Sequence, residues 1–253
     1  MKVRILPSSA DQTDLQHLIT LLVDGHLAID AGCLGLWGSP ADQAGVTGVV
    51  LTHSHADHVC SLPMFVMNVA DHAGRGVTVH APRETIEVLR HDVFNGRIWP
   101  DFTAVRIDDR PLLEFRRIEP GQPMRIDGLT VTAIPVNHPV PTVAYLVDDG
   151  TAAVLAAADM APTPALWEAA RANPRLRAVF LDVAFPDEEG RMAERSGHLT
   201  PRLAHAEVAR LPGDVARIAV HLKPAFRRRI VEQLTGDGPS GIAVGRIGHT
   251  YEL

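Results

Sequence analysis

The segment Thr52-His53-Ser54-His55-Ala56-Asp57-His58 puts three imidazoles and one carboxylate within six positions, directly after the apolar run Val46 to Leu51. Imidazole nitrogens and carboxylate oxygens are the ligands that a borderline cation such as Zn²⁺ prefers. A strand end projects alternate side chains to one side, so His53 and His55 can grip one ion together. Asp57 and His58 fall past the strand end, where the chain can turn toward a second ion. A polar surface loop is the plainer account, but histidines at this density point to metal.

This heptapeptide is also the signature of the metallo-β-lactamase superfamily, and the chain resembles that superfamily at four further places. Asp30 stands in Ala28-Ile29-Asp30-Ala31-Gly32 and His138 in Val136-Asn137-His138-Pro139. Asp159 closes Val154-Leu155-Ala156-Ala157-Ala158, and His221 follows Ile218-Ala219-Val220. All four fall at expected strand ends, in the superfamily's order. Taken singly, His138 or His221 reads as a hydrogen-bonded core histidine. The resemblance implies instead a centre of two ions, with His53, His55 and His138 on one, Asp57, His58 and His221 on the other, and Asp159 bridging both. For Asp30 it implies a place behind the ligands, accepting a hydrogen bond from a ligand histidine and fixing its tautomer. A plain turn role at the strand end is the alternative. Two Zn²⁺ per chain are expected, with Fe or Mn compatible because no cysteine takes a ligand position. Cys60, close to His58, reads as a small hydrophobe.

Further pieces narrow the branch. His91-Asp92-Val93-Phe94-Asn95-Gly96-Arg97-Ile98-Trp99-Pro100, Phe180-Leu181-Asp182-Val183, Ser196-Gly197-His198-Leu199-Thr200-Pro201 and His221-Leu222-Lys223-Pro224 together resemble the class II 3′,5′-cyclic-nucleotide phosphodiesterases. That resemblance runs from about Asp30 to Pro224. It implies hydrolysis of cyclic AMP or cyclic GMP to the 5′-monophosphate, by a hydroxide held between ions roughly 3.5–4 Å apart whose pKa falls toward about 7. His198 would protonate the leaving 3′ oxygen, Asp182 would hold the His198 imidazole, and Asp57 would help orient the attacking water. The family often carries a carboxylate one carbon longer where this chain has Asp182. His198 has a second reading, as a cap for the helix that begins near Thr200. Asn95, Trp99 and Thr200 are the expected substrate contacts, Trp99 as a plate for the base. A turn in which Trp99 and Pro100 pack the core is the alternative.

The elements that must position these residues alternate between hairpins and βα units. Leu21 to Val23 and Leu27 to Ile29 flank Asp24-Gly25, Met124 to Ile126 and Leu129 to Ile134 flank Asp127-Gly128, and Tyr145 to Val147 and Ala152 to Ala157 flank Asp148-Asp149-Gly150. Each joint is a hairpin turn signal. Helices are expected from Leu62 to His72, after Pro82 at a first helical position, and after the cap-and-proline pairs Thr163-Pro164 and Thr200-Pro201. Strands at Val77 to His80, Val179 to Asp182 and Ile218 to His221 lie between helices. The order predicts an α/β (α+β) chain folded as a four-layer αββα sandwich, two mixed sheets with helices outside, in one domain over residues 1–253.

The chain has 253 residues, 46% of them hydrophobic, 21% charged, with mean hydropathy near zero at +0.05. That is the composition of a soluble globular protein with a sizeable core. A formal net charge of -6 gives no long-range pull toward RNA or a membrane, and Arg227-Arg228-Arg229 reads as a solvated helix face. Two cysteines, Cys33 and Cys60, build no disulfide framework and suit a reducing cytosol. The N-terminus alternates like a strand and lacks the apolar core of a signal peptide, and no stretch approaches the roughly 18 apolar residues of a membrane span. A cytoplasmic enzyme on a small-molecule substrate is the expectation, without nucleic-acid or membrane partner, a homodimer being compatible with the fold. The rival enzymatic reading is a tRNA 3′-end endonuclease, which shares the dense motif and a carboxylate–histidine pair after the bridging aspartate but calls for a basic arm. A lactonase, thioesterase or sulfatase of the same fold is a third reading, and a non-catalytic metal protein a fourth.

Overall fold

The computed structural model describes residues 1–8, 14–236 and 241–253. Its first sheet begins with β1 (Lys2–Ile5), β2 (Leu21–Val23) and β3 (Leu27–Ile29). Asp24 and Gly25 both adopt positive φ (47° and 77°) in the tight three-residue connection, Asp24 to His26, between β2 and β3. A capping box at Ser39 opens α1 (Pro40–Ala44), which leads to β4 (Gly48–Val50). After β4 come the one-turn helix α2 (Ala56–Val59), α3 (Leu62–Ala73) and β5 (Val77–Ala81). Pro82 sits at the cap, not the first helical position, of α4 (Arg83–Val88), which runs on into a π-helical turn at Leu89–Val93. A two-stranded ribbon, β6 (Arg106–Ile107) and β7 (Arg110–Pro111), precedes β8 (Leu113–Arg117).

The second sheet repeats the plan. It collects β9 (Met124–Ile126), β10 (Leu129–Val136), β11 (Thr142–Asp148) and β12 (Ala153–Ala156), then α5 (Pro164–Arg171) and β13 (Leu176–Asp182). Helices α6 (Gly190–Ser196) and α7 (Pro201–Val208) lead to β14 (Ala216–Val220), and α8 (Arg227–Thr235) to β15 (Ala243–Val244). The last strand, β16 (Thr250–Glu252), returns to pair antiparallel with β1, Lys2 opposite Glu252. The strand orders are β16-β1-β2-β3-β4-β5-β8 and β15-β14-β13-β12-β11-β10-β9. In each sheet three antiparallel pairings give way to three parallel ones.

Alternation along the strands divides the core into three layers. Phe180, Ala178, Ile218 and Val220 point between the sheets with Val3, Ile5, Ile29 and Val50. Their neighbours Val179, Leu181 and Ala219 point outward to Trp167, Leu166, Ala204 and Ile230 of the helices. Val49, Leu51, Phe65, Val66 and Val69 form the corresponding layer outside the first sheet. Three apolar layers separating four layers of structure give the αββα sandwich expected from the order of elements. The basic run starts α8, with Arg228 in solvent and Arg229 paired to Glu188 at 2.7 Å. Among the described residues no helix is long and apolar enough to cross a membrane.

Candidate metal centre

Parallel pairing brings the functional strand ends to one edge. Ile29 of β3 lies opposite Val50 of β4, so Asp30 and Thr52 emerge together. In the second sheet Ala156, Phe180 and Ile218 share a register, and Asp159, Asp182 and His221 follow them by three, two and three residues. At that edge three residues other than glycine hold positive φ: Asp30 (63°), Ala158 (59°) and His221 (58°). Each left-handed residue costs about 1–2 kcal/mol, and such strain gathers at sites that need a side chain aimed. Gly32 fixes the approach of the first loop. A Cβ there would lie 1.9 Å from the Asp57 carbonyl and 2.7 Å from the Ile19 backbone. Two contacts tie the sheets together here: the Tyr145 hydroxyl donates to Leu51 O at 2.7 Å, and Val143 N donates to Thr52 O at 3.1 Å.

The hydrogen bonds behind the histidines settle which ring nitrogen each presents. His58 Nδ1 donates to Asp30 Oδ2 at 2.7 Å. The Thr52 hydroxyl donates to the same carboxylate at 2.9 Å and so accepts from His53 Nδ1 at 2.9 Å. His138 Nδ1 donates to the Gly197 carbonyl at 2.9 Å. All three therefore turn Nε2 inward, and the buried Nε2 atoms of His53 and His58 make no well-formed hydrogen bond among the described residues, facing instead the carboxylate of Asp159. A cation fits such orphaned acceptors; nothing apolar does.

Two sets of donors converge on the carboxylate of Asp159. His53, His55, His138 and Asp159 offer atoms within 4.8 Å of one another, and so do Asp57, His58, Asp159 and His221. These are the sets expected for two ions, and the residues present could hold both. His58 Nε2 and His221 Nδ1 approach Asp159 Oδ1 at 3.3 and 3.1 Å, and His53 Nε2 approaches Oδ2 at 3.9 Å. A third set, Asp159, Asp182, His198 and His221, meets the same criterion. Asp182 is buried and serves two rings, accepting from His198 Nδ1 at 2.9 Å and from His221 Nδ1 at 3.2 Å. The shorter side chain thus reaches His198. The Phe185 ring packs 5.6 Å from that of His198.

The electrostatics of the two sets differ. Burial, reinforced by the neighbouring His58, pushes His53 down to about 2, and burial also lowers His55 and His138. That trio is neutral at pH 7, as ligands must be. Burial disfavours charge on His221 and His58 as well, but the carboxylates around them prevail. Asp159, Asp182 and Asp57 raise His221 to about 10, and Asp159 and Asp30 raise His58 well above the ordinary imidazole range. Although burial opposes ionisation of Asp159, His221 and His58 hold it well below the usual carboxylate range. Burial opposes ionisation of Asp57 too, but the 3.1 Å hydrogen bond from His221 Nε2 holds that carboxyl low.

Two expected substrate contacts have other roles here. The Asn95 side-chain carbonyl accepts within its own turn, from the backbone N–H groups of Arg97 and Ile98 at 2.9 and 3.0 Å, while its amide donates to His91 O. Trp99 packs edge-on against Phe102, ring centroids 6.4 Å apart, within the first outer core layer. Neither is among the residues that line the metal centre or the cleft beside His198. Thr200 does line that cleft, and it also caps α7 by accepting from Leu203 N. Thr163, expected as a cap, instead accepts from Asn137 N at 3.1 Å and steadies the loop before His138. Two functional residues carry no motif of their own: Thr52, the link from Asp30 to His53, and Tyr145, the inter-sheet tie. A tyrosine in an apolar strand is the available signal for the latter, since a buried hydroxyl seeks a partner.

The sequence profile of the family described as "Beta-lactamase superfamily domain" matches residues 31–222. Over 229 residues the chain is 23% identical to the "Probable 3′,5′-cyclic-nucleotide phosphodiesterase" of Yersinia pestis, covering 78% of this chain and 64% of that protein. Over 103 residues it is 31% identical to "Ribonuclease Z" of Methanopyrus kandleri, covering 41% of this chain and 32% of that protein. The chain thus spans less than two thirds of the length of these relatives. The crystal structure of unliganded yeast PDE1 superposes with a TM-score of 0.79 at 17% identity, covering 98% of each chain. By its matched profile, its four-layer fold and the donor sets at its strand ends, the chain belongs to the metallo-β-lactamase superfamily.

Proposed function

We propose that the protein is a metal-dependent phosphodiesterase that opens 3′,5′-cyclic nucleotides to 5′-monophosphates. The observation that carries the phosphodiesterase part of this reading is the buried Asp182–His198 pair beside the two donor sets. Two ions bound there, with Zn²⁺ expected, supply Lewis acidity toward a phosphoryl oxygen and make water a nucleophile near neutral pH. The chain's own residues do the rest. Asp57, partly exposed and anionic, accepts a hydrogen bond from the attacking water and orients it. His198, its Nδ1 held by Asp182, presents Nε2 and delivers a proton to the departing 3′ oxygen. Asp182 fixes the tautomer that allows this and stabilises the ring when it is charged. Asp30 holds His58 directly and His53 through Thr52, so one carboxylate steadies a ligand of each ion.

The match to ribonuclease Z favours a second reading, in which the diester lies in an RNA. The formal charge of -6 supports the small substrate, because phosphate contacts by basic groups dominate RNA binding. Metal-loaded protein assayed against cyclic AMP, cyclic GMP and a precursor tRNA tests the two together. Turnover of a cyclic nucleotide to the 5′-monophosphate is the expected result. Cleavage of the tRNA with both cyclic nucleotides inert would move the protein to the second reading.

A further inference from the structure

Beside His198 lies an open cleft of about 560 Å³. That volume lies within the roughly 300–1,000 Å³ of small-molecule sites. One wall is Ala161 and Pro162, just after Asp159, and the other comes from α6 and the start of α7. His198 is the member of the proposed catalytic group that lines it, so a nucleoside whose 3′ oxygen takes the His198 proton extends into this space.

The polar lining divides into groups already engaged and groups left open. Asp187 accepts from the Arg202 N–H at 2.9 Å, and Glu188 accepts from Arg229 and Gln233, both at 2.7 Å. At the exposed rim of the cleft, the guanidinium groups of Arg191 and Arg202 and the carboxylate of Glu194 have no hydrogen bond or ion pair among the described residues. Arg191 and Glu194 are three residues apart on α6, a spacing that shares one helix face, yet they do not close on each other. The cleft therefore offers a set of pure donors and a pure acceptor together.

A second phosphate suits the arginines but is repelled by Glu194. A guanine base suits both. Its O6 and N7 accept from a guanidinium fork, and its N1–H and N2 amino groups donate to a carboxylate. Adenine offers an amino donor at N6 but only an acceptor at N1, so it cannot satisfy Glu194 in the same two-pronged way. We infer that this cleft is the base subsite of the enzyme and selects guanine over adenine, with Glu194 reading the N1/N2 edge and Arg191 and Arg202 the O6/N7 edge. This rests on the phosphodiesterase reading for the placement of the nucleoside.

Calorimetric titration of the metal-loaded protein with 5′-GMP and 5′-AMP tests it without requiring turnover. GMP is expected to bind about ten- to a hundred-fold more tightly, the discrimination typical of one or two two-pronged base contacts. Glu194→Gln should collapse that ratio by weakening GMP while strengthening or sparing AMP, because an amide can pair with N6 and N1 of adenine. Arg191→Ala with Arg202→Ala should weaken GMP more than AMP. Equal affinities for the two nucleotides, no binding of either, or a Glu194→Gln variant that weakens both alike would overturn the assignment. Guanine preference in the titration with inert cyclic nucleotides would sink the proposed reaction and leave the subsite standing. Turnover of both cyclic nucleotides without base preference would sink the subsite alone.

Discussion

The first and second halves of the chain follow the same strand plan but supply their functional groups in opposite ways. In the first half one loop, after β4, delivers His53, His55, Asp57 and His58, and a single strand end before it adds Asp30. In the second half β10, β12, β13 and β14 each deliver one residue: His138, Asp159, Asp182 and His221. The first half thus holds a cluster made by local geometry, since the one-turn helix α2 sets Asp57 and His58 side by side. The second holds a cluster made by register, since its residues meet only because β10, two antiparallel pairings away, ends at the same edge as the parallel strands β12, β13 and β14. Each half also contains one carboxylate that reaches both donor sets. Asp30 does so from behind, through hydrogen bonds, and Asp159 from in front, by direct approach.

That difference can be broken most sharply at Asp159. Asp159→Ala removes the group common to both donor sets, and elemental analysis should show loss of both ions with turnover at background. A variant that keeps two ions would show that Asp159 does not bridge. His198→Ala comes next. It should leave metal content intact and lower turnover of a cyclic nucleotide by on the order of 10²–10⁴. The loss should shrink on bis(p-nitrophenyl) phosphate, whose phenolate leaves without a proton. Equal losses on both substrates would remove the proton-donor role.

Asp30→Ala should weaken metal binding by roughly 10–100-fold, because it frees His58 directly and His53 through Thr52. The effect should extend to both ions in a competitive chelator titration. Loss confined to one ion would mean that the Thr52 link carries nothing. The smallest effect lies away from the site, in the second half alone. Asp148 is held below the usual carboxylate range chiefly by Arg175, which reaches it at 2.8 Å, with Asn173 and the Gly150 N–H adding hydrogen bonds. Its pKa is lower folded than unfolded, where it is about 3.9. The stability it contributes is therefore present above about pH 4 and is lost as pH falls through the folded value. Asp148→Asn should cost about 1 kcal/mol at pH 7. In urea titrations the gap between variant and parent should close toward pH 3, and a gap constant with pH would refute the ion-pair origin.

Part of this arrangement follows from local rules. The Asp24-Gly25 and Asp127-Gly128 turns, the alternation that makes the strands, α3 and the cap at Thr200 follow from nearest-neighbour chemistry, and so does the density of His53 to His58. Asp30, His138, Asp159 and His221 were legible through their order at strand ends, as the superfamily resemblance implies, and His198 only through the resemblance carried by Gly197-His198-Leu199-Thr200-Pro201. Tertiary structure alone decided what depends on register and closure. It placed His221 between Asp57, Asp159 and Asp182, and returned β16 to β1 across the whole length of the chain. It turned Asn95 into its own loop and Trp99 into the core, and it left Arg191, Glu194 and Arg202 open around a cleft. The physical reason is that a contact between residues a hundred positions apart is set by how two sheets align and pack. No propensity or spacing along the chain encodes that alignment, and a shift of one residue in register would turn each of these side chains to the other face.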